Sequence, residues 1–421
     1  MIPSDAISAY PSQKSLGKPR HAVDALDDVM RYLAVFAGTA AFAFLGLLPV
    51  FWLALYGLSA ALLLLRFGPT LQTIARNLPL ILFPLVCWMS FLWSVAPSAT
   101  IAYSGMLTFT YLIALQVGMS TPPRVLIRSA TLVLVFVAAT SALNITGIFS
   151  DPWDHRDNLK GVLTSKNGLG HTMVLLILFS LFEALRKRER QVFARAGWLM
   201  VAALAFVLIL LADSAASLAL GAALGVAFAG TVLFLRNGLK PLIALACLFG
   251  IGSVVLVALV LIQSSPSELL FNALSRDSTM TGRTIIWDIG WNAYSERPVL
   301  GYGANGFWNW GRMANLVEVL QSQYGEHLHG FHNLTIELLI MAGPAGLAAF
   351  LVGFLLCVAR AVALLWRDIE LGLLVIAVLT FLFFIALVDV ALYKEHALLT
   401  MLPVALCVSI GRHRSVHGDS N

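Results

Sequence analysis

The sequence predicts an all-α, polytopic transmembrane helix bundle of about twelve spans with one large, partly helical periplasmic loop. Three observations predict it. Of 421 residues, 59% are hydrophobic and 12% charged, with a mean hydropathy of +0.86, which leaves too little polar surface to clothe a soluble globule of this size. The apolar residues are gathered into uncharged runs of the length that crosses a hydrocarbon core. The lysines and arginines collect between alternate runs, as cytoplasmic loops require.

Taken in order, residues 1–31 are polar, with Ser and Pro but no apolar core or small-residue cleavage site, and predict a disordered cytoplasmic tail without a signal peptide. The stretch Leu33 to Leu65 is uncharged and interrupted only by Pro49. Lys14, Lys18, Arg20 and Arg31 precede it and Arg66 and Arg76 follow it, so both flanks favour the cytoplasm and the stretch crosses twice, as Leu33 to Leu48 and Val50 to Leu65. Spans at Leu78 to Val95, Ala99 to Gly118, Ile127 to Phe149 and Gly168 to Leu185 come next. Asp213, costly in mid-bilayer, divides the following run into Gly197 to Ala212 and Ser217 to Leu235. Pro241 to Ile262 is the ninth span and completes a bundle over residues 32–262. Residues 263–332 form the periplasmic loop, spans at Leu334 to Cys357, Leu371 to Val388 and His396 to Ile410 fill residues 333–411, and residues 412–421 return to the cytoplasm.

The basic stretch Arg186 to Arg195 would suit nucleic acid in isolation; between two apolar spans it reads as a topology determinant resting on anionic lipid, and no nucleic-acid partner is expected. Cys87, Cys247, Cys357 and Cys407 each stand alone within a span, with no metal or disulfide spacing.

Function is sought where polar residues gather, which is on the outer side. A loop of about seventy residues without spans of its own is more often functional than idle. Within its segment Thr281 to Pro298, Trp287, Trp291 and Tyr294 recur at i, i+4 and i+7, one face of a helix that suits either lipid headgroups or sugar rings. Tyr302 and Trp308 are further stacking candidates. Gly301-Tyr302-Gly303-Ala304-Asn305-Gly306 fits G-x-G-x-x-G by letter, but the dinucleotide fingerprint needs a βαβ unit, so these glycines predict a tight turn or a close backbone approach to a ligand. His327, His329 and His332 match no familiar zinc spacing, and no metal is expected. His332 sits at the mouth of the tenth span, where a neutral imidazole can take a proton from a hydroxyl; its alternative role is helix capping. Glu337, four residues after Asn333, is an ionisable group inside a span and faces the same way.

These residues resemble the O-antigen ligase and polymerase superfamily of bacterial membrane glycosyltransferases. His332-Asn333, nine residues, Gly343, two residues, Gly346 is similar to its H-N-x9-G-x-x-G signature. T-G-R-T-I-I-W from Thr281 and E-R-P-V-L-G-Y-G from Glu296 resemble its large loop, and Lys166-Asn167-Gly168-Leu169-Gly170 resembles the K-N-x-L-G element of its exopolysaccharide polymerases. Family members often carry Ser-Arg or Ser-Lys at the start of the eighth span; here Ser214 is followed by Ala215, so a cation is missing.

The bias of Lys and Arg toward alternate loops predicts that both termini are cytoplasmic. The resemblance implies an inner-membrane enzyme without cofactor. It transfers a polyprenyl-diphosphate-linked oligosaccharide to a glycan or to lipid A-core. The outer compartment lacks nucleotide sugars and ATP, so the donor must arrive activated, and its diphosphate leaving group needs cations. Arg283, Arg297 and Lys166 are the first candidates, with Arg276 and Arg312 behind them. His332 is the expected base of a one-step inverting transfer, supported by Asn333, Glu337 and Asn167. No Asp-x-Asp pair is present to hold a divalent ion. The lean is toward a polymerase, with a ligase as the alternative. A lipid-glycan transporter is more remote, because it would concentrate charge and broken helices at the midplane.

Overall fold

The computed structural model describes residues 22–154, 156–186, 192–236, 279–311 and 330–415. The regular elements among them are helical, beside an isolated bridge between Trp153 and Leu159. In chain order they are α1 (Ala22–Gly38), α2 (Leu48–Leu65), α3 (Phe67–Arg76), α4 (Leu78–Met89), α5 (Pro97–Ser120), α6 (Pro123–Leu143), α7 (Lys166–Ala184), α8 (Val192–Leu211), α9 (Ala215–Arg236), α10 (Thr279–Glu296), α11 (Leu334–Leu365), α12 (Ile369–Ala386) and α13 (Leu398–Ser415). Eight of these are long and apolar enough to cross a membrane, or nine if α3 and α4, bent by 93° at their junction, are taken as one span. The span expected at Pro241 to Ile262 lies outside the described residues, as do His327, His329, Arg276 and Arg312.

Local chemistry explains several boundaries. Pro49 falls in the first turn of α2, where its missing N–H costs nothing, so it starts that helix. α1 begins at Ala22, eleven residues ahead of the expected first span, and ends at Gly38; its charges are paired, Arg31 with Asp28 at 2.9 Å and Asp27 with Arg66 at 2.7 Å. α11 likewise runs to Leu365, past the expected end at Cys357, because Arg360 donates to Asn77 Oδ1 at 2.5 Å and to the Cys407 carbonyl at 2.9 Å. Paired charges do not end a helix; unpaired ones in lipid do.

α7 and α12 form the middle of the bundle, with about four fifths of their apolar windows buried, while α2 and α8 lie at its edge with 22% buried. At one end, ion pairs tie neighbouring helices: Arg124 to Asp368 and Arg236 to Glu370. The opposite end gathers the heads of α5, α7, α9 and α11, the segment 144–165 and the loop after α10, and it is there that the polar side chains converge.

Candidate active site

α11 is broken one-quarter of the way along. Ala342 and Gly343 leave the helical region, Gly343 at φ 62°, ψ −162°, and Pro344 follows. Proline has no N–H, so the Ile340 carbonyl four residues back loses its helical partner. Tyr302 N–H donates to that carbonyl at 2.8 Å and Gly303 N–H to the Met341 carbonyl at 2.9 Å. The G-Y-G of the loop is therefore a backbone clamp on the break in α11, and the two motifs are halves of one device. A Cβ on Gly343 would stand 2.0 Å from the Val299 carbonyl oxygen, and one on Gly301 2.4 Å from that of Ile340. At Gly301 the close approach is to the protein's own backbone and not, as expected, to a ligand. On its other side the clamp meets the end of α4, where Trp93 Nε1 donates to the Leu300 carbonyl and Val95 N–H to that of Tyr302.

The clamp sets α10 against the head of α11. α10 buries Ile286 and Ala293, with Gly290 between them against Ile336 and Phe331. The aromatic face expected to meet lipid headgroups or sugar rings lies beside this one. Trp287 donates to the Phe331 carbonyl at 2.8 Å and Trp308 to Glu337 Oε1 at 2.9 Å. Tyr302 is 1% exposed and has no ring face free for a sugar; it is a core residue of the loop, which corrects the stacking expectation for that position. Trp291 is exposed.

At the head of α11, Asn333 caps the helix by accepting from Thr335 and Ile336 N–H, and its amide donates to the Leu387 carbonyl at the end of α12. This tie brings the residue just past α12, Asp389, beside His332. His332 holds the left-handed conformation at φ 48°, unusual outside glycine and a mark of local over-determination. Its Nδ1 is buried 3.4 Å from Asp389 Oδ1, longer than an ideal hydrogen bond and a charge contact only when the imidazole carries a second proton. Asp389 Oδ2 lies 3.7 Å from Nε2 of His171, which is buried in the second turn of α7. Burial raises the Asp389 carboxyl, but the contact with His332 and the field of His171 outweigh it and hold the group well below the usual carboxylate range. Glu337, expected to face the reaction, is buried and spends its oxygens on Trp308 and on Phe331 N–H, so it braces the backbone next to His332.

The K-N-x-L-G element forms the head of α7, capped by Ser165. Asn167 Oδ1 accepts from Ser214 Oγ at 3.3 Å, joining the heads of α7 and α9. Lys166 is half-buried in the first turn, about one and a half turns from His171. Arg297 stands over the rings of Tyr302 and Trp310, 5.1 and 6.0 Å from their centroids, on the aromatic cluster that contains Phe331. Arg283 belongs to α10, and its side chain lies outside the described set. His332, Asn333, Glu337 and Trp308 thus come together around α11, with the head of α7 joined to them through Asp389. Asp389 and His171 were not legible as partners: one follows an apolar span and the other sits inside one, 218 residues away.

A family model described as O-antigen ligase matches residues 192–351, from α8 through the break in α11. The Exopolysaccharide production protein ExoQ of Rhizobium meliloti (strain 1021) is 28% identical over 325 residues, covering 75% of this chain and 71% of that protein. Both support membrane glycan ligase or polymerase activity. With the motifs that run from His332 to Gly346, they show this multi-pass helical chain to be similar to the O-antigen ligase and polymerase superfamily.

Proposed function

We propose that the chain polymerises polysaccharide repeats at the non-cytoplasmic face of a bacterial cell membrane, moving a polyprenyl-diphosphate-linked glycan onto a sugar hydroxyl. The observation that carries this reading is the pairing of a strained His332 with Asp389 at the head of α11. His332 Nε2 accepts the proton of the acceptor hydroxyl while the hydroxyl oxygen bonds to the anomeric carbon of the donor. The bond from that carbon to the diphosphate oxygen breaks, and its electron pair leaves with the diphosphate. Asp389, facing Nδ1, fixes the tautomer and stabilises the imidazolium as it forms. One displacement inverts the anomeric centre. Arg283, Arg297 and Lys166 take up charge on the leaving diphosphate, and Lys166 has the added support of the free N–H groups at the head of α7.

Polymerisation is favoured over ligation by similarity to a protein named for exopolysaccharide production. It is also favoured by the K-N-x-L-G helix, whose His171 approaches the same carboxylate as His332. The test is the purified chain in liposomes with a lipid-linked repeat. Polyprenyl diphosphate is released and the new linkage is inverted, chelator changes nothing, and His332→Ala abolishes both products. A retained configuration, or a zinc requirement, would overturn the mechanism.

A further inference from the structure

The head of α7 is pressed onto that of α9. A Cβ on Gly170 would stand 2.6 Å from Ser217 Oγ and 2.9 Å from Ser214 Cβ, so the backbone has no slack there and the next residue, His171, has a fixed place. The ring of His171 is buried and meets Phe381 of α12 edge-on, with 6.1 Å between centroids. A histidine within a span and shut away from water is rare, and it faces a polar partner. Here that partner is Asp389.

The backbone of Asp389 is held well: its N–H donates to the Ile385 carbonyl at 2.7 Å, and Asn333 grips the Leu387 carbonyl two residues earlier. Its side chain is held differently at each oxygen. Oδ1 accepts from Val390 N–H at 2.7 Å and faces His332 Nδ1 at 3.4 Å. Oδ2 faces His171 Nε2 at 3.7 Å, too long for a hydrogen bond. The contact is therefore an ion pair when the imidazole carries a second proton and a ring dipole on the carboxylate otherwise. Burial pushes the Asp389 carboxyl up, and His332 and then His171 act against it. A carboxylate tied through one oxygen can turn about its Cβ–Cγ bond and lose its line to Nδ1; a contact on the other oxygen removes that freedom.

We infer that His171 is a positioning residue for the transfer: from α7 it holds Oδ2 of Asp389, so that Oδ1 stays aimed at Nδ1 of His332 while that ring takes the proton of the acceptor. It acts through Asp389 and needs no contact with either substrate. The K-N-x-L-G helix and the H-N motif thus bear on one carboxylate from opposite sides. The inference rests on the proposed role of His332 as base.

The test uses the full chain in liposomes with a lipid-linked repeat, following release of polyprenyl diphosphate. His171→Phe keeps a ring beside Phe381 but has no N–H, whereas the amide of His171→Gln reaches about as far as Nε2. His171→Phe lowers kcat about ten- to a hundredfold with KM changed less than about twofold, and His171→Gln recovers part of the loss. A packing role would not move the double variant in the same way. In Asp389→Asn the charge that His171 holds is gone, so adding His171→Phe lowers kcat by less than about threefold further. If a thermal scan shows that His171→Phe does not fold, His171→Asn, whose amide stops short of Oδ2, takes its place in the cycle. Native kcat in the His171 variant, or the same loss with and without Asp389→Asn, overturns the inference and leaves the transfer reading standing. Full activity in His332→Ala removes the base, and the inference falls with it.

Discussion

At the scale of single residues, the site is a division of labour between two carboxylates of unlike surroundings. Glu337 is enclosed and bonded to neutral N–H donors, whereas Asp389 sits between two imidazoles. Asp389 is therefore the carboxylate that the proposed mechanism pairs with His332. Replacing the proposed base by His332→Ala should lower turnover by about 10²- to 10⁴-fold without unfolding the protein, the latter checked by a thermal scan in detergent. Asp389→Asn keeps the shape but removes the charge, and lowers kcat by about 10²-fold or more with little change in KM. The same carboxylate has a stability signature. Because its folded value lies below the ordinary 3.8, its contribution is complete above that pH and is lost as acid carries the protein through and below it. Unfolding temperature should thus be insensitive to this group from pH 7 to 5 and fall in stronger acid; a native-like acid profile in Asp389→Asn would exclude Asp389 as its source. His332 could be picked from the sequence as a candidate because its chemistry and its signature coincide at one span mouth. Asp389 was not, since a lone acid after an apolar run carries no local sign of the partner that folding gives it.

At the scale of elements, the decisive feature is that α11 breaks and the loop after α10 completes it. Gly343 occupies a backbone region open in practice to glycine, against the Val299 carbonyl, so Gly343→Ala must displace the loop that positions α10 and Phe331. It should cost about 2–3 kcal/mol and depress transfer, measured as a drop in unfolding temperature together with lost activity. Pro344→Ala makes the contrasting case. It returns an N–H that competes with Tyr302 for the Ile340 carbonyl, so α11 straightens, and activity should fall while stability is kept or raised. Equal losses of stability in both variants would mean that the proline is needed only for packing. The glycines and proline of the two motifs were visible in the sequence; that they bond to one another was not, because the pairing runs through carbonyls whose identity the side chains do not reveal. Helices that run past the spans expected at Leu33 and Cys357 share one cause: Asp27 and Arg31 are charges that the fold pairs, and Arg360 is one whose donors it satisfies with Asn77 and the Cys407 carbonyl.

At the scale of the whole molecule, both substrates of the proposed reaction are anchored in lipid, so the acceptor must reach His332 along the membrane. A ligase admits lipid A-core, which is consumed by a single attachment. A polymerase admits another copy of the lipid-linked repeat, and its product is again a substrate. The bundle itself was legible, since lipid forces apolar helices to declare themselves, but acceptor choice depends on the faces that α7, α10 and α11 present together and on no single motif. The heads of α7 and α9, joined through Asn167 and Ser214 with Lys166 beside them, carry the K-N-x-L-G element on which the proposed polymerase reading leans. If Lys166 shares the diphosphate charge, Lys166→Ala should cripple transfer and Lys166→Arg retain a fraction of it, since Arg keeps the charge but not the compact ammonium. Proteoliposomes given only the lipid-linked repeat then decide the acceptor. Ladders of long chains on the polyprenyl carrier, resolved by gel and growing with time, are the expected product. Silence until lipid A-core is added, followed by one attachment per acceptor, would make the protein a ligase with the same chemistry at His332.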